Sequence, residues 1–199
     1  MHRITSFSVV AAVVVAATVT SASAAHRTPA HPHASSSELA AQIARARFTL
    51  APFANSLGRA KRAGWSMQIT PMMPGMGFHY MNPDIKDFDV RKPPILVYVR
   101  RGQASQLVAG EWVFPQRPAK PPLPGARYGS FAAACHYADG TFTPHTDEAT
   151  CAPTSPGGAK FTFWHPDLVT MHVWMWYPNP AGVFNSTNPL IAPFGGAMH

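Results

Sequence analysis

The stretch ILVYVRRGQASQLVAGEWVF, residues 95–114, carries the strongest structural signal in the chain. Residues 95–99 are apolar or aromatic and mostly β-branched, Arg101-Gly102 follows, and residues 107–114 return to an apolar run. Two such runs around a glycine-containing turn are typical of a β-hairpin. Glu111 is the only acid in this apolar stretch, and a buried carboxylate needs a cation, a metal ion or several hydrogen-bond donors. We therefore read 95–114 as a buried hairpin that carries one functional side chain.

The segment before the hairpin has helical periodicity. Ser37 has the character of an N-cap, and apolar residues recur after it at i, i+4, i+7 and i+11. These are Leu39, Ile43, Ala46 and Leu50. Pro52 interrupts the pattern, and a second short amphipathic run ends near Gly64, a plausible C-cap. This pattern predicts an N-terminal helical hairpin.

Further strands are predicted on both sides of the central hairpin. Residues 78–82, 161–164 and 168–177 are apolar, β-branched or aromatic, whereas 115–127 is too rich in proline to pair as a central strand. Two helices followed by a run of strands indicate an α+β fold. We expect the helical hairpin to pack on a curved or barrel-like antiparallel sheet.

The N-terminus has the pattern of an export signal. Residues 1–24 combine a positive start, a short apolar run and the small-x-small step Ala22-Ser23-Ala24. Spanning a bilayer takes about 20 apolar residues, so we expect no transmembrane span after the signal peptide is removed. Residues 25–37 are rich in Pro, Ser and His and read as a disordered linker. The remaining residues, 38–199, would form a single α+β domain of a secreted or periplasmic protein.

Charge and cysteine content agree with an exported protein. Without residues 1–24 the chain has fifteen Lys and Arg against nine Asp and Glu, a net charge of +6. The basic residues are scattered and do not alternate with aromatic residues as in a nucleic-acid groove, so no nucleic-acid partner is expected. Cys135 and Cys151 are the only cysteines. An even pair in an exported chain predicts one disulfide bond.

Three predicted strands each carry one isolated titratable side chain. His79 lies in 78–82, Glu111 in 107–114 and His172 in 168–177, a strand that is apolar on both faces. Two imidazoles and a carboxylate are the ligand set of a His₂Glu zinc site or of a 2-His-1-carboxylate iron site. His165 or His136 would supply a third imidazole. The alternative is that these are unrelated polar residues of the core, each with its own partner.

A softer ligand set lies in PMMPGMGFHYM, residues 71–81. It contains Met72, Met73, Met76, His79 and Met81. Thioether ligands select Cu(I), although methionine also fills irregular gaps in cores, and we prefer zinc or iron to copper. The acidic loop with Asp84, Asp87 and Asp89 lacks the glycine and the closing glutamate of a calcium loop and reads as a solvated turn.

Three segments resemble, in the same order, a family of small exported bacterial proteins that is uncharacterised. They are GMGFHYMNP (75–83), LVAGEWVFP (107–115) and FWHPDLVTMHVWMWYPNPAGVFNSTNP (163–189). The family's marks are a Gly-x-His-Tyr step and a closing His-x-Trp-x-Trp segment followed by Asn-Pro-x-Gly. The resemblance implies that 38–194 is one domain, and it implies no activity.

The function predicted from these patterns is the binding of a metal ion or small ligand by an exported protein. If the protein is an enzyme, it would be a metal-dependent hydrolase or oxygenase, with Tyr80 or His165 as proton donor. The alternative is a structural or interaction protein of the cell envelope without a small-molecule site. Substrate and oligomeric state are open at this level.

Overall fold

The computed structural model describes residues 32–194, which form an α+β fold. The elements run in the order α1 (Pro32–Leu50), a 3₁₀ turn (Ala51–Phe53), α2 (Leu57–Arg62), β1 (Met67–Gln68), β2 (Phe78–Met81), β3 (Ile95–Arg101), β4 (Ala104–Phe114), β5 (Gly129–Phe131), β6 (Ala134–Tyr137), β7 (Phe142–Pro144), a 3₁₀ turn (Glu148–Thr150), β8 (Phe161–His165), β9 (Leu168–Trp174) and a 3₁₀ turn (Pro189–Phe194). The predicted signal peptide, residues 1–24, lies outside the described residues.

Two antiparallel sheets contain the strands. The large sheet has the order β1-β2-β3-β4-β9-β5 and the small sheet has the order β7-β6-β8. The predicted hairpin 95–114 forms the centre of the large sheet, with β3 and β4 paired from Ile95 opposite Glu111 to Arg101 opposite Ala104. Within the described residues no closed barrel forms, because the large sheet ends at the short strands β1 and β5. The barrel-like prediction is therefore wrong, and the antiparallel sheet is confirmed.

The N-terminal helices differ from the prediction in extent. Helix α1 has 19 residues and begins at Pro32, inside the stretch 25–37 that the sequence analysis assigns to a linker. Helix α2 has only six residues, with the Ser56 hydroxyl accepting a hydrogen bond from the backbone N–H of Arg59. The helical hairpin is thus not confirmed. The apolar stripe of α1 does face inward, since Ala46 and Leu50 are fully buried.

The two faces of the large sheet bury different groups of side chains. One face packs with the helices and includes Tyr98, Trp112 and Met171. The other face carries Val97, Ala109 and Trp174. Because successive side chains alternate between the faces, a strand buried on both sides reads as continuously apolar. Strand β9 is of this kind, as its sequence predicts.

The disulfide bond ties the small sheet to the residue that follows the 3₁₀ turn Glu148–Thr150. Cys135 lies in β6 and bonds to Cys151, with 5.7 Å between the two Cα atoms. The predicted pairing is confirmed. No described cysteine is free. Among residues 32–194, no helix has the length and apolar character needed to cross a membrane.

Candidate metal centre

Three strands of the large sheet bring His79, Glu111 and His172 together. Glu111 in β4 stands directly opposite His172 in β9. His79 in β2 stands opposite Val97 in β3, two residues along β3 from Ile95, which pairs with Glu111. The two histidines and the carboxylate therefore share the face of the sheet that lies away from the helices, and their side chains converge there.

The ligand atoms of this group, which we call the His–Glu–His centre, lie close enough to share an ion. His79 Nε2 is 3.4 Å from Glu111 Oε2, and one ligand atom from each of the three residues lies within 4.8 Å of the others. Two ligands at about 2.0–2.2 Å from a tetrahedral metal ion are about 3.4 Å apart. The distance between His79 Nε2 and Glu111 Oε2 already has this value. The two ligand atoms that lie farthest apart would need to approach each other by at most about 1.4 Å.

Thr70 fixes the orientation of the His79 ring through Nδ1, the ring nitrogen that does not face Glu111. Its Oγ1 lies 2.9 Å from His79 Nδ1 and accepts a hydrogen bond from the backbone N–H of His79 at 3.2 Å. In the tautomer with the proton on Nδ1, that N–H donates to Thr70 and the Nε2 lone pair points toward Glu111. Metal-binding histidines are held in this manner, since a partner on the second nitrogen fixes both tautomer and orientation.

His172 is buried without any hydrogen bond to its ring. It is 3% exposed, and neither Nδ1 nor Nε2 has a partner among the described residues. A buried polar group left in this condition costs about 1–3 kcal/mol. Its ring lies against Trp174, with centroids 4.7 Å apart. Because the site imposes this cost in the metal-free protein, an ion that bonds one of the nitrogens would recover part of it.

Burial sets the protonation states of the centre. It raises the pKa of Glu111 to about 7, with a hydrogen bond from Thr170 acting in the opposite direction. It lowers the pKa of His79 to about 4 and that of His172 well below its usual value, with nearby His79 adding to the effect. At neutral pH both imidazoles are therefore neutral, and the His79–Glu111 contact is not an ion pair. Neutral imidazole is the form that binds metals.

A cavity of about 490 Å³ lies against this centre. Its wall includes His79 and Glu111 on the large sheet, and His136 and His165 on the small sheet. The rest of the lining is mainly apolar. Apolar cavities with a few converging polar groups are the usual form of small-molecule sites.

The structure separates some of the predicted ligands from the centre. His165 does not belong to the group around Glu111 and stands beside His136, with ring centroids 5.1 Å apart. Tyr80 lies on the helix side of β2 and donates its hydroxyl hydrogen to Gln68 Oε1. Since neighbouring residues of a strand face opposite ways, Tyr80 cannot serve as the proton donor at His79.

The methionine-rich stretch divides between cavity and core. Met73, Met76 and Met81 line the cavity, whereas Met72 packs against the hydrophobic clusters of the large sheet. In the acidic loop, Asp89 forms a bidentate ion pair with Arg91.

The His–Glu–His centre is the only group of three or more Asp, Glu, His or Cys side chains that the described part of the chain brings together as possible metal ligands.

Sequence reasoning missed the residues that support the centre. Thr70 and Thr170, which contact His79 and Glu111 respectively, are common polar residues with no distinguishing spacing. Strand β6, which carries His136, is likewise absent from the strands predicted from the sequence. Its alternation over four residues, Ala134–Tyr137, is too short to distinguish from a loop.

Comparison with known proteins yields no relative: no protein-family model, no curated protein and no solved structure matches this chain. The resemblance described above therefore stays a prediction.

Proposed function

We propose that this is an exported protein that binds one transition-metal ion through His79, Glu111 and His172 and presents that ion to a small molecule in the adjoining cavity. The observation that carries the proposal is the convergence of three buried ligand atoms, one of them on an imidazole that has no hydrogen-bond partner within residues 32–194. An unrelated set of core polar residues would be expected to have a partner for each.

The donor set favours zinc or ferrous iron. Two neutral imidazoles and one carboxylate match the protein ligands of catalytic zinc sites and of non-haem iron sites. Three protein ligands leave coordination positions free, and His79 and Glu111 both line the cavity. An ion held by these residues would supply Lewis-acid or oxygen chemistry, so hydrolysis and oxygenation are the two reaction classes that fit. The chain's own role is to hold the ion, to exclude bulk water and to bind an apolar substrate.

Export is supported by the N-terminal pattern and by the disulfide bond. Disulfides persist in oxidising compartments and are rare in the cytosol, and Cys135 and Cys151 form a disulfide bond. The resemblance to exported bacterial proteins points the same way. We infer an extracytoplasmic location from these features together.

The alternative, a structural or interaction protein of the cell envelope, predicts that the centre binds no ion. Titration calorimetry with Zn²⁺ and Fe²⁺, the latter under argon, separates the two. We expect one equivalent in the wild type and at least a tenfold loss of affinity in Glu111→Gln, because the amide removes the anionic ligand. Glu148→Gln is the matched control, since Glu148 is exposed. To remove adventitious binding by the N-terminal tract, all variants carry His26, His31 and His33 changed to Ala.

Equal binding by the wild type and Glu111→Gln, or binding by neither, would refute the proposal. Circular dichroism and a thiol count show whether each variant is folded and disulfide-bonded.

A further inference from the structure

A second pair of histidines lies on the small-sheet wall of the cavity. His136 in β6 and His165 in β8 are 1% and 9% exposed, and their ring centroids are 5.1 Å apart. Nothing in the proposed function uses them. We refer to them as the small-sheet histidine pair.

Each ring of the pair is anchored through one nitrogen to the main chain. His136 Nδ1 is 2.9 Å from the carbonyl oxygen of Ile69, and His165 Nδ1 is 2.6 Å from that of Pro166. A carbonyl oxygen only accepts hydrogen bonds, so Nδ1 carries the proton in both rings. Nε2 is then an unprotonated acceptor, and neither Nε2 has a partner among the described residues.

Metal-binding histidines are held in the same way: the ring nitrogen that does not bind the metal often donates a hydrogen bond to a backbone carbonyl oxygen. Ring packing adds rigidity, since His136 stacks on Phe163 with 4.5 Å between centroids and 2° between planes. Burial and the neighbouring His165 lower the pKa of His136 to about 4. This ring is therefore neutral at neutral pH, as a metal ligand must be.

The separation of the rings fits a shared ion. With a metal–nitrogen bond of about 2.0–2.1 Å and a ring radius of about 1.1 Å, two imidazoles at the tetrahedral angle have centroids about 5.1 Å apart. Linear two-coordination would place them about 6.3 Å apart. The observed 5.1 Å therefore fits an ion with at least a third ligand.

The cavity wall offers thioethers for that third position. Met73, Met76 and Met81 line it together with the pair, and the one carboxylate in the lining belongs to the His–Glu–His centre. Imidazole suits several transition metals, whereas thioethers select Cu(I). We propose that His136 and His165 bind a copper ion, with a methionine of the cavity wall as third ligand, as a second metal site independent of the His–Glu–His centre.

The test uses the full chain with Glu111→Gln and with His26, His31 and His33 changed to Ala. Cu(I) is titrated against a colorimetric chelator, and ascorbate maintains the reduced metal without a thiol that would cleave the disulfide. We expect one equivalent of bound Cu(I), and at least a tenfold weaker affinity after His136→Gln or His165→Gln. His145→Gln is the matched control, because this histidine lies outside the cavity lining.

X-ray absorption spectroscopy of the copper-loaded protein tests the proposal without substituting either histidine of the small-sheet pair. We expect imidazole scattering together with a copper–sulfur shell. Absence of bound copper in the Glu111→Gln background, full affinity in a folded His165→Gln variant, or absence of imidazole scattering would each overturn the proposal. Failure of the His–Glu–His centre would appear instead as zinc or iron binding that is insensitive to Glu111→Gln, so the two proposals fail separately.

Discussion

Replacing Glu111 by Gln is expected to stabilise the metal-free protein at alkaline pH while it weakens zinc or iron binding at the His–Glu–His centre. Burial raises the pKa of Glu111 from 4.5 to about 7, so the folded state holds this proton more tightly than the unfolded state does. The stability linked to that proton is fully present below pH 4.5 and is lost as the pH rises through 7. A glutamine has the same shape and does not titrate.

The size of the effect follows from the pKa shift. A rise from 4.5 to about 7 corresponds to about 3 kcal/mol at 1.36 kcal/mol per pKa unit. Relative to the variant, the metal-free wild type should therefore lose about 3 kcal/mol between pH 4.5 and pH 8. In a domain of this size such a change moves the melting temperature by about 6–12 °C.

Urea unfolding of chelator-treated protein, followed by tryptophan fluorescence at pH 5 and pH 8, measures the difference. Other titrating groups are common to both proteins and cancel in the comparison. We expect the advantage of Glu111→Gln to grow from pH 5 to pH 8, and Glu148→Gln to show no such growth. Saturating zinc should shrink this advantage by about 1.4 kcal/mol or more, because the wild type binds zinc at least tenfold more tightly and so gains more binding energy. An advantage independent of pH would mean that Glu111 is not desolvated, and the electrostatic reasoning for the centre would be refuted.

Two further predictions concern the buried imidazole and the disulfide. Replacing His172 by Phe should leave the metal-free protein as stable as the wild type or up to about 2 kcal/mol more stable, since two buried nitrogens without partners among the described residues disappear. Calorimetric melting should also show that zinc no longer raises the melting temperature of this variant. A large loss of stability without metal would indicate that the ring has a partner. Reducing Cys135–Cys151, which encloses a sequence separation of 16, should cost on the order of 3 kcal/mol in the chain-entropy model. Melting with and without a reductant measures this, and identical curves would exclude a stabilising role for the bond.

Part of the fold could be read directly from the sequence. The hairpin 95–114 and the strand around His172 can be predicted from their nearly continuous apolar runs, because a strand buried on both faces needs apolar residues at most positions. Isolated polar residues in such runs, Glu111 and His172, stand out for the same reason. The disulfide followed from an even number of cysteines.

Other parts of the fold could not be predicted from local sequence patterns. Strands β5, β6 and β7 have three or four residues each, which is too short for alternation to identify. The predicted helical hairpin is not confirmed and no closed barrel is found among the described residues, because helix length and sheet closure depend on contacts between distant segments. Grouping His165 with Glu111 failed because β8 belongs to the small sheet.

For the hairpin 95–114 and for β9, the sequence by itself determined which side chains are buried and which of them share a face. Only the tertiary structure decided that β9 lies beside β4, which sets Glu111 opposite His172, and that the small sheet faces the same cavity with His136 and His165. The physical reason is that alternation along a strand is a local property, whereas the order and register of strands come from pairing between distant segments, and a site of this kind exists only after that pairing has formed.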